Sequence, residues 1–250
     1  MAGPPPALEA NGLAKTYGST TAVDGVDFTV DSGVVYGFLG PNGAGKTTTM
    51  RMLTGLVEPT GGEARVAGVP CTDRGALVDH IGLLPETPPL YDELTGREQL
   101  QFAADVRGRS WDDVADRALS CIDRLDLDDA LDRRVEGYSK GMSQKLAFTQ
   151  AVQHDPDVAF LDEPTSGLDP RAAKTLRELI GELSAAGTTV FLSTHILPVV
   201  EAVADTVGVL HRGRLVAEDS PEALIAQRED DGDAGLEDAF LELTSDPAEQ

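Results

Sequence analysis

The sequence is short of positive charge, cysteine and uninterrupted apolar runs, and each shortage removes a class of function. Twenty Lys and Arg residues face 43 Asp and Glu, a formal charge of −23, and only five of the cations are lysines. Such a surface repels the phosphates of nucleic acids and of anionic lipid, so no nucleic-acid partner is expected. The two cysteines, Cys71 and Cys121, show neither CxxC spacing nor a neighbouring histidine pattern, which argues against a metal site and leaves buried, reduced thiols. No stretch approaches the ~18 consecutive apolar residues of a membrane span. The Pro-rich start, Met1 to Pro6, has neither the basic nor the apolar region of a secretion signal, so a cytoplasmic location is expected.

The scarcity of lysine beside so many carboxylates also reads as a surface adapted to molar salt. At about 1 M the Debye length shrinks to ~3 Å, which removes the self-repulsion of a strongly acidic protein. A halophile is the expected source. The plainer reading is an acidic surface that only keeps the chain soluble.

What is present is a chain of 250 residues with 41% hydrophobic content, enough for one large or two small domains with a genuine core. Alternating apolar residues predict a strand over Ala22 to Val30, and the apolar run Val34 to Leu39 predicts a buried one. A glycine-rich turn follows, then helical spacing over Thr47 to Leu56. Further strands are predicted at Val158 to Leu161, Thr189 to Leu192, and on both sides of a turn at Arg212 and Gly213. Strands alternating with helices make an α/β core. Between about residues 86 and 153 the texture turns charged and leucine-bearing, with helices predicted at Glu98 to Arg107 and Trp111 to Leu125. Arg228 to Gly235 is acidic and reads as a linker ahead of a short amphipathic segment, Leu236 to Leu243.

Two motifs carry chemistry. Gly40-Pro41-Asn42-Gly43-Ala44-Gly45-Lys46-Thr47 fits GxxxxGK[ST], with Thr48 next on the following helix. Its glycines let backbone N–H groups curl around phosphate oxygens, Lys46 reaches the β and γ phosphates, and Thr47 ligates Mg²⁺. The second motif is Val158-Ala159-Phe160-Leu161-Asp162-Glu163, a buried strand that delivers two carboxylates. Asp162 suits Mg²⁺ and Glu163 suits a base for water.

Together these motifs define a P-loop NTPase, and the remaining residues resemble the ABC ATPases in particular. Tyr138-Ser139-Lys140-Gly141-Met142 stands where that family has its signature, Ser166-Gly167-Leu168-Asp169 resembles the D-loop, and Ser193-Thr194-His195 resembles the H-loop. Tyr17 is similar to the aromatic that stacks on adenine, and in Ile81-Gly82-Leu83-Leu84-Pro85-Glu86 the last residue stands at the Q-loop position. The resemblance covers about residues 8 to 220. It implies a P-loop NTPase (RecA-like) α/β core with an antiparallel β subdomain and a helical insert, about 86–153, that carries the signature. That domain is expected over residues 1–228, with the acidic linker and terminal segment in 229–250.

By the same resemblance the chain binds and hydrolyses ATP with Mg²⁺. Lys46, Glu163 and His195 are expected to be catalytic, and Thr47, Asp162 and Glu86 to lie at the metal. Tyr17, Gly40 to Thr48, Ser139, Gly141 and Asp169 are expected at nucleotide, with Ser139 and Gly141 touching the γ-phosphate held by a second copy or a paired ATPase subunit. A separate transmembrane permease is the implied partner, which would place the chain on the inner face of the membrane. Three departures stand out: Lys140 replaces a glycine of the signature, Met142 a glutamine, and Glu86 the glutamine of the Q-loop. These variants, with Leu236 to Thr244, resemble the type-2 exporter group of drug, lipid, polysaccharide and ion efflux systems. The rival readings are a soluble ABC-type ATPase not coupled to transport and a P-loop kinase.

Overall fold

The computed structural model describes residues 5–226 and 235–245. The acidic stretch from 228 to 234 lies outside them. The chain begins with a β-hairpin, β1 (Leu8–Tyr17) and β2 (Thr20–Val30), followed by β3 (Val35–Leu39) and helix α1 (Lys46–Leu53). Next come β4 (Gly61–Val66), β5 (Val69–Pro70), α2 (Arg74–Leu77) and β6 (Ile81–Leu84). The helical part holds α3 (Gly96–Val106), α4 (Trp111–Arg124) and α5 (Lys140–Val152). The remainder is β7 (Val158–Asp162), α6 (Pro170–Ala185), β8 (Thr189–Thr194), α7 (Leu197–Val203), β9 (Thr206–His211), β10 (Arg214–Asp219), α8 (Pro221–Ala226) and α9 (Leu236–Thr244).

Two sheets result. One is antiparallel, in the order β2-β1-β4-β5; the other runs β10-β9-β3-β8-β7-β6. In the second, β9, β3, β8, β7 and β6 are mutually parallel and only β10 is antiparallel. Every residue of β3, β7 and β8 is buried, which is why these strands read as continuous apolar runs and not as alternating patterns. Parallel strands share one polarity, so β3, β8, β7 and β6 all end at the same edge. Open α/β sheets place their ligands at that carboxyl edge.

The two faces of the parallel sheet have different partners. Toward the antiparallel sheet lies an aromatic layer in which Phe191 stands 5.1 Å from Phe38, 5.6 Å from Tyr36 and Phe160, and 6.1 Å from Phe28. The Tyr36 hydroxyl leaves this layer to donate to Glu218 at 2.7 Å, so burial of the ring strands no polar atom. On the opposite face Leu161, Val190 and Leu192 pack with Leu176 and Ile180 of α6 and Val199 and Val200 of α7. Leu236 and Ala239 of α9 are buried as well, so the terminal amphipathic segment caps the core.

Helices α3 and α4 form a smaller cluster of their own, with Leu100, Ala118, Ile122 and Leu131 around Leu146. At the start of α3 the Thr95 hydroxyl accepts the Glu98 N–H and the Glu98 carboxylate accepts the Thr95 N–H, a capping box; at α4 the Asp113 carboxylate accepts both the N–H and the hydroxyl of Ser110. Helix α5 serves both cores. It sends Leu146 into the helical cluster and Ala147, Phe148, Ala151 and Val152 toward the sheet. Both cysteines are buried and free, and burial pushes the Cys71 thiol up to about 12 and the Cys121 thiol up to about 11.

Candidate functional site

The phosphate-loop sequence leaves the end of β3 at Gly40, where a Cβ would collide with the carbonyl of Leu210. Gly45 closes the loop at φ 111°, and a side chain there would meet the carbonyl of Ala22. Only glycine fits both the backbone angle and the space. Helix α1 then starts with no side-chain cap and no acidic residue in its first turn, so its first amides remain directed at the cleft.

A cleft of about 330 Å³ opens above this helix end, lined by Ala22, Asn42, Gly43, Gly45, Lys46, Thr47, Thr48, Glu86, Asp162, Glu163 and His195. Four strand ends feed it: β3 through the loop, β6 through Glu86, β7 through the two carboxylates and β8 through His195. Lys46 is 8% exposed, and its ammonium bends back to donate to the carbonyls of Gly40 at 2.6 Å and Pro41 at 3.3 Å. Burial lowers its pKa, while Glu163, Asp162 and Glu86 pull it back up. Asp162 is also buried, which raises its carboxyl pKa against the pull of the Thr47 hydroxyl, which donates to it at 3.1 Å.

Glu163 sits one residue beyond β7 with φ 49°, a left-handed conformation uncommon for a side chain of this size. One carboxylate oxygen accepts the His195 backbone N–H at 3.0 Å and lies 2.7 Å from the ring Nδ1; the other accepts the Thr194 hydroxyl at 2.8 Å. The carboxylate is thereby fixed by β8 and its loop. Strain of this kind is concentrated where geometry serves chemistry.

The domain model for ABC transporters matches residues 23–166, more than half of the chain. The chain belongs to the ABC transporter family. A daunorubicin/doxorubicin resistance ATP-binding protein of Streptomyces peucetius is 43% identical over 86% of this chain and 66% of its own length. A bacitracin transport ATP-binding protein of Enterococcus faecalis is 39% identical over 84% of the chain and 68% of its own. This chain therefore spans about two thirds of the length of those relatives. A solved ATP-binding subunit of an ABC transporter superposes with a TM-score of 0.88 at 35% identity, covering 95% of this chain and 99% of that one.

Not all the residues singled out by the ABC resemblance meet in the cleft. Tyr17 stands 48% exposed at the end of β1, with the Lys15 ammonium 5.1 Å from its ring centre. Ser139 caps α5, accepting the N–H of Met142 at 3.3 Å, and Gly141 packs against Gly167 of the D-loop segment, where a Cβ would crowd the Gly167 carbonyl. Lys140 lays its stem over Gly167 and donates to the Ser166 hydroxyl at 2.9 Å, so the departure from glycine is filled by the chain's own D-loop segment. Asp169 is the N-cap of α6, and the Ala172 N–H it accepts at 2.9 Å holds its carboxyl below the usual range. Tyr17, Ser139, Gly141 and Asp169 do not line the cleft, and of the phosphate loop Gly40, Pro41 and Ala44 stay behind its surface. Thr194 and Gln144 were given no role by the sequence, yet both are bonded to Glu163.

Proposed function

We propose that the chain binds ATP in this cleft and hydrolyses it to drive a separate transmembrane permease, as an exporter would. The observation that carries the reading is the convergence of Lys46, Thr47, Asp162, Glu163 and His195 at one sheet edge, over an uncapped helix start. Lys46 neutralises β and γ phosphate charge, and the N–H groups of Asn42, Gly43 and Gly45 to Thr48, which line the cleft, wrap the phosphates. Glu163 accepts a proton from the attacking water, and His195 holds that carboxylate in place. Tyr17 offers an exposed ring face for adenine.

The adjacent Thr47 hydroxyl and Asp162 carboxylate fit Mg²⁺, which takes few protein ligands and completes its shell with water and phosphate oxygens. Glu86 faces the same space and would add a carboxylate. When bound, the ion neutralises charge on the transferred phosphate.

Ser139, Gly141 and Asp169 lie outside the cleft, which supports the reading that they meet nucleotide held by a second copy or a paired ATPase subunit. A groove beside the Glu86 loop, with Tyr91, Phe102 and Val106 exposed, is the apolar surface we assign to the permease. Through that contact the permease would hold the chain at the inner face of the membrane. The competing soluble-ATPase reading leaves this groove without a role.

The purified chain should release inorganic phosphate from Mg-ATP with no acceptor present. Release that requires a metabolite acceptor would make it a kinase, and no release combined with no nucleotide binding would end the ATPase reading. We also read the acidic surface as an adaptation to salt, so the thermal midpoint should climb from low salt toward molar KCl as repulsion among the 43 carboxylates is screened. A flat or falling midpoint across the KCl series would leave the charge with a solubility role only.

A further inference from the structure

The main chain of Glu163 is anchored as firmly as its carboxylate, and the anchor comes from a different element. The side-chain amide of Gln144 donates to the carbonyl of Glu163 and to that of Pro164, at 3.2 Å in each case. Gln144 is 1% exposed and projects from the second turn of α5, the helix whose first turn presents Ser139 and Gly141 at the surface. The amide group has two N–H donors, and both point at the two peptides that bracket the left-handed turn. Glu163 is therefore held between two bodies: β8 and its loop grip the carboxylate through Thr194 and His195, and α5 grips the peptide behind it.

We propose that Gln144 is a positioning residue for the hydrolytic base, tying the placement of Glu163 to that of the signature helix. This rests on the reading of Glu163 as the base. Helix α5 is stiff over the turn and a half from Ser139 to Gln144, so a shift of its exposed start is carried directly to the Glu163–Pro164 peptides by this buried amide, while Lys140 and Gly141 touch the same turn farther on, at Ser166 and Gly167. Rotation of those peptides swings the carboxylate. A displacement of about 1 Å in a reacting group costs on the order of 10²-fold in rate. Thr194 acts alongside from β8: its hydroxyl donates to the carboxylate and accepts the Ile196 N–H at 3.1 Å, and neither partner belongs to α5.

Gln144→Met and Gln144→Leu stay close in volume and lose the donors, and the two are made in parallel so that a folding failure in one does not end the test. The expected result is a kcat at least tenfold below the parent, with KM for ATP and equilibrium ATP binding within about twofold, in a variant that melts cooperatively. Each substitution is then combined with Glu163→Gln. If Gln144 acts through the base, it adds no further loss once the base is gone; damage spread through the fold would multiply with it. A folded Gln144 variant with near-parental kcat, or losses that multiply in the double variant, would overturn the proposal. A Glu163→Gln variant as active as the parent would instead remove the base itself, a failure visible before any Gln144 variant is assayed.

Discussion

Glu163→Gln should lower ATP turnover by ~10² to 10⁴ while leaving the nucleotide bound. The substitution keeps the shape of the side chain and almost all of its bonds. The amide oxygen can still accept from the His195 backbone N–H, and the amide nitrogen can face Thr194, whose hydroxyl rotates to accept. Lost are the negative charge and the capacity to take a proton from water. Binding depends on other groups: Lys46, the loop amides, Thr47 with Asp162, and Tyr17, none of which the change deletes. With the γ-phosphate preserved, the bridge to Ser139 and Gly141 of a second subunit persists, so the variant should accumulate as an ATP-dependent dimer. Phosphate release, equilibrium dialysis with ATP, and size exclusion in molar KCl with Mg-ATP against ADP measure the three consequences. Hydrolysis close to that of the parent would remove Glu163 as the base, whatever the oligomeric state.

Lys46→Ala should abolish hydrolysis for a different reason and with a different signature. Its ammonium is nearly buried, and in this structure it rests on the carbonyls of Gly40 and Pro41 and not on a carboxylate. Those weak, neutral partners leave it free to swing onto phosphate oxygens, where a charge in a water-poor site stabilises the transferred group far more than it would in water. Removal of one such contact costs ~10²-fold or more in turnover. Unlike the Glu163 change, this one should weaken ATP binding too, because the lost charge faces ground state and transition state alike. Activity above about a tenth of the parent, in a folded variant, would contradict the assignment.

How much could be read in advance follows from how locally each feature is encoded. Strands β3, β7 and β8 were legible because both faces are covered, so the sequence runs apolar without interruption. Helices α3 and α4 were placed to within two residues, and the side-chain bonds of Thr95 with Glu98 and of Ser110 with Asp113 explain why their starts are sharp. Strand β1 escaped notice because its register with β2 slips between Ala10 and Leu13, next to Gly12, and the slip breaks the alternation that marks a strand. Strand β6 carries little strand signal of its own: it is four residues long and contains Gly82, whose missing side chain makes room for the carbonyl of Ala151. The nucleotide contact of Asp169 rests on family resemblance alone, while Asp followed by Pro170 is a local helix-start signal, and in the structure its carboxylate caps α6. Gln144 left no mark at all, since its partners are carbonyls 19 and 20 residues away, and any residue there would supply the same acceptors.

Helix α5 makes the helical insert inseparable from the rest of the chain. An insert bounded at residues 86 and 153 looks like a cassette that recombination could lift out and exchange, but its last helix is shared lengthwise, one side belonging to each core. Excising the segment would strip Phe148, Ala151 and Val152 from beneath the sheet, and Gly82 is already cut to the contour of that helix. A transplanted insert would have to bring matching strands with it. The packing thus leaves α3, α4 and the loops around them free to change on their own, while a change in α5 must be matched in β6 and β7.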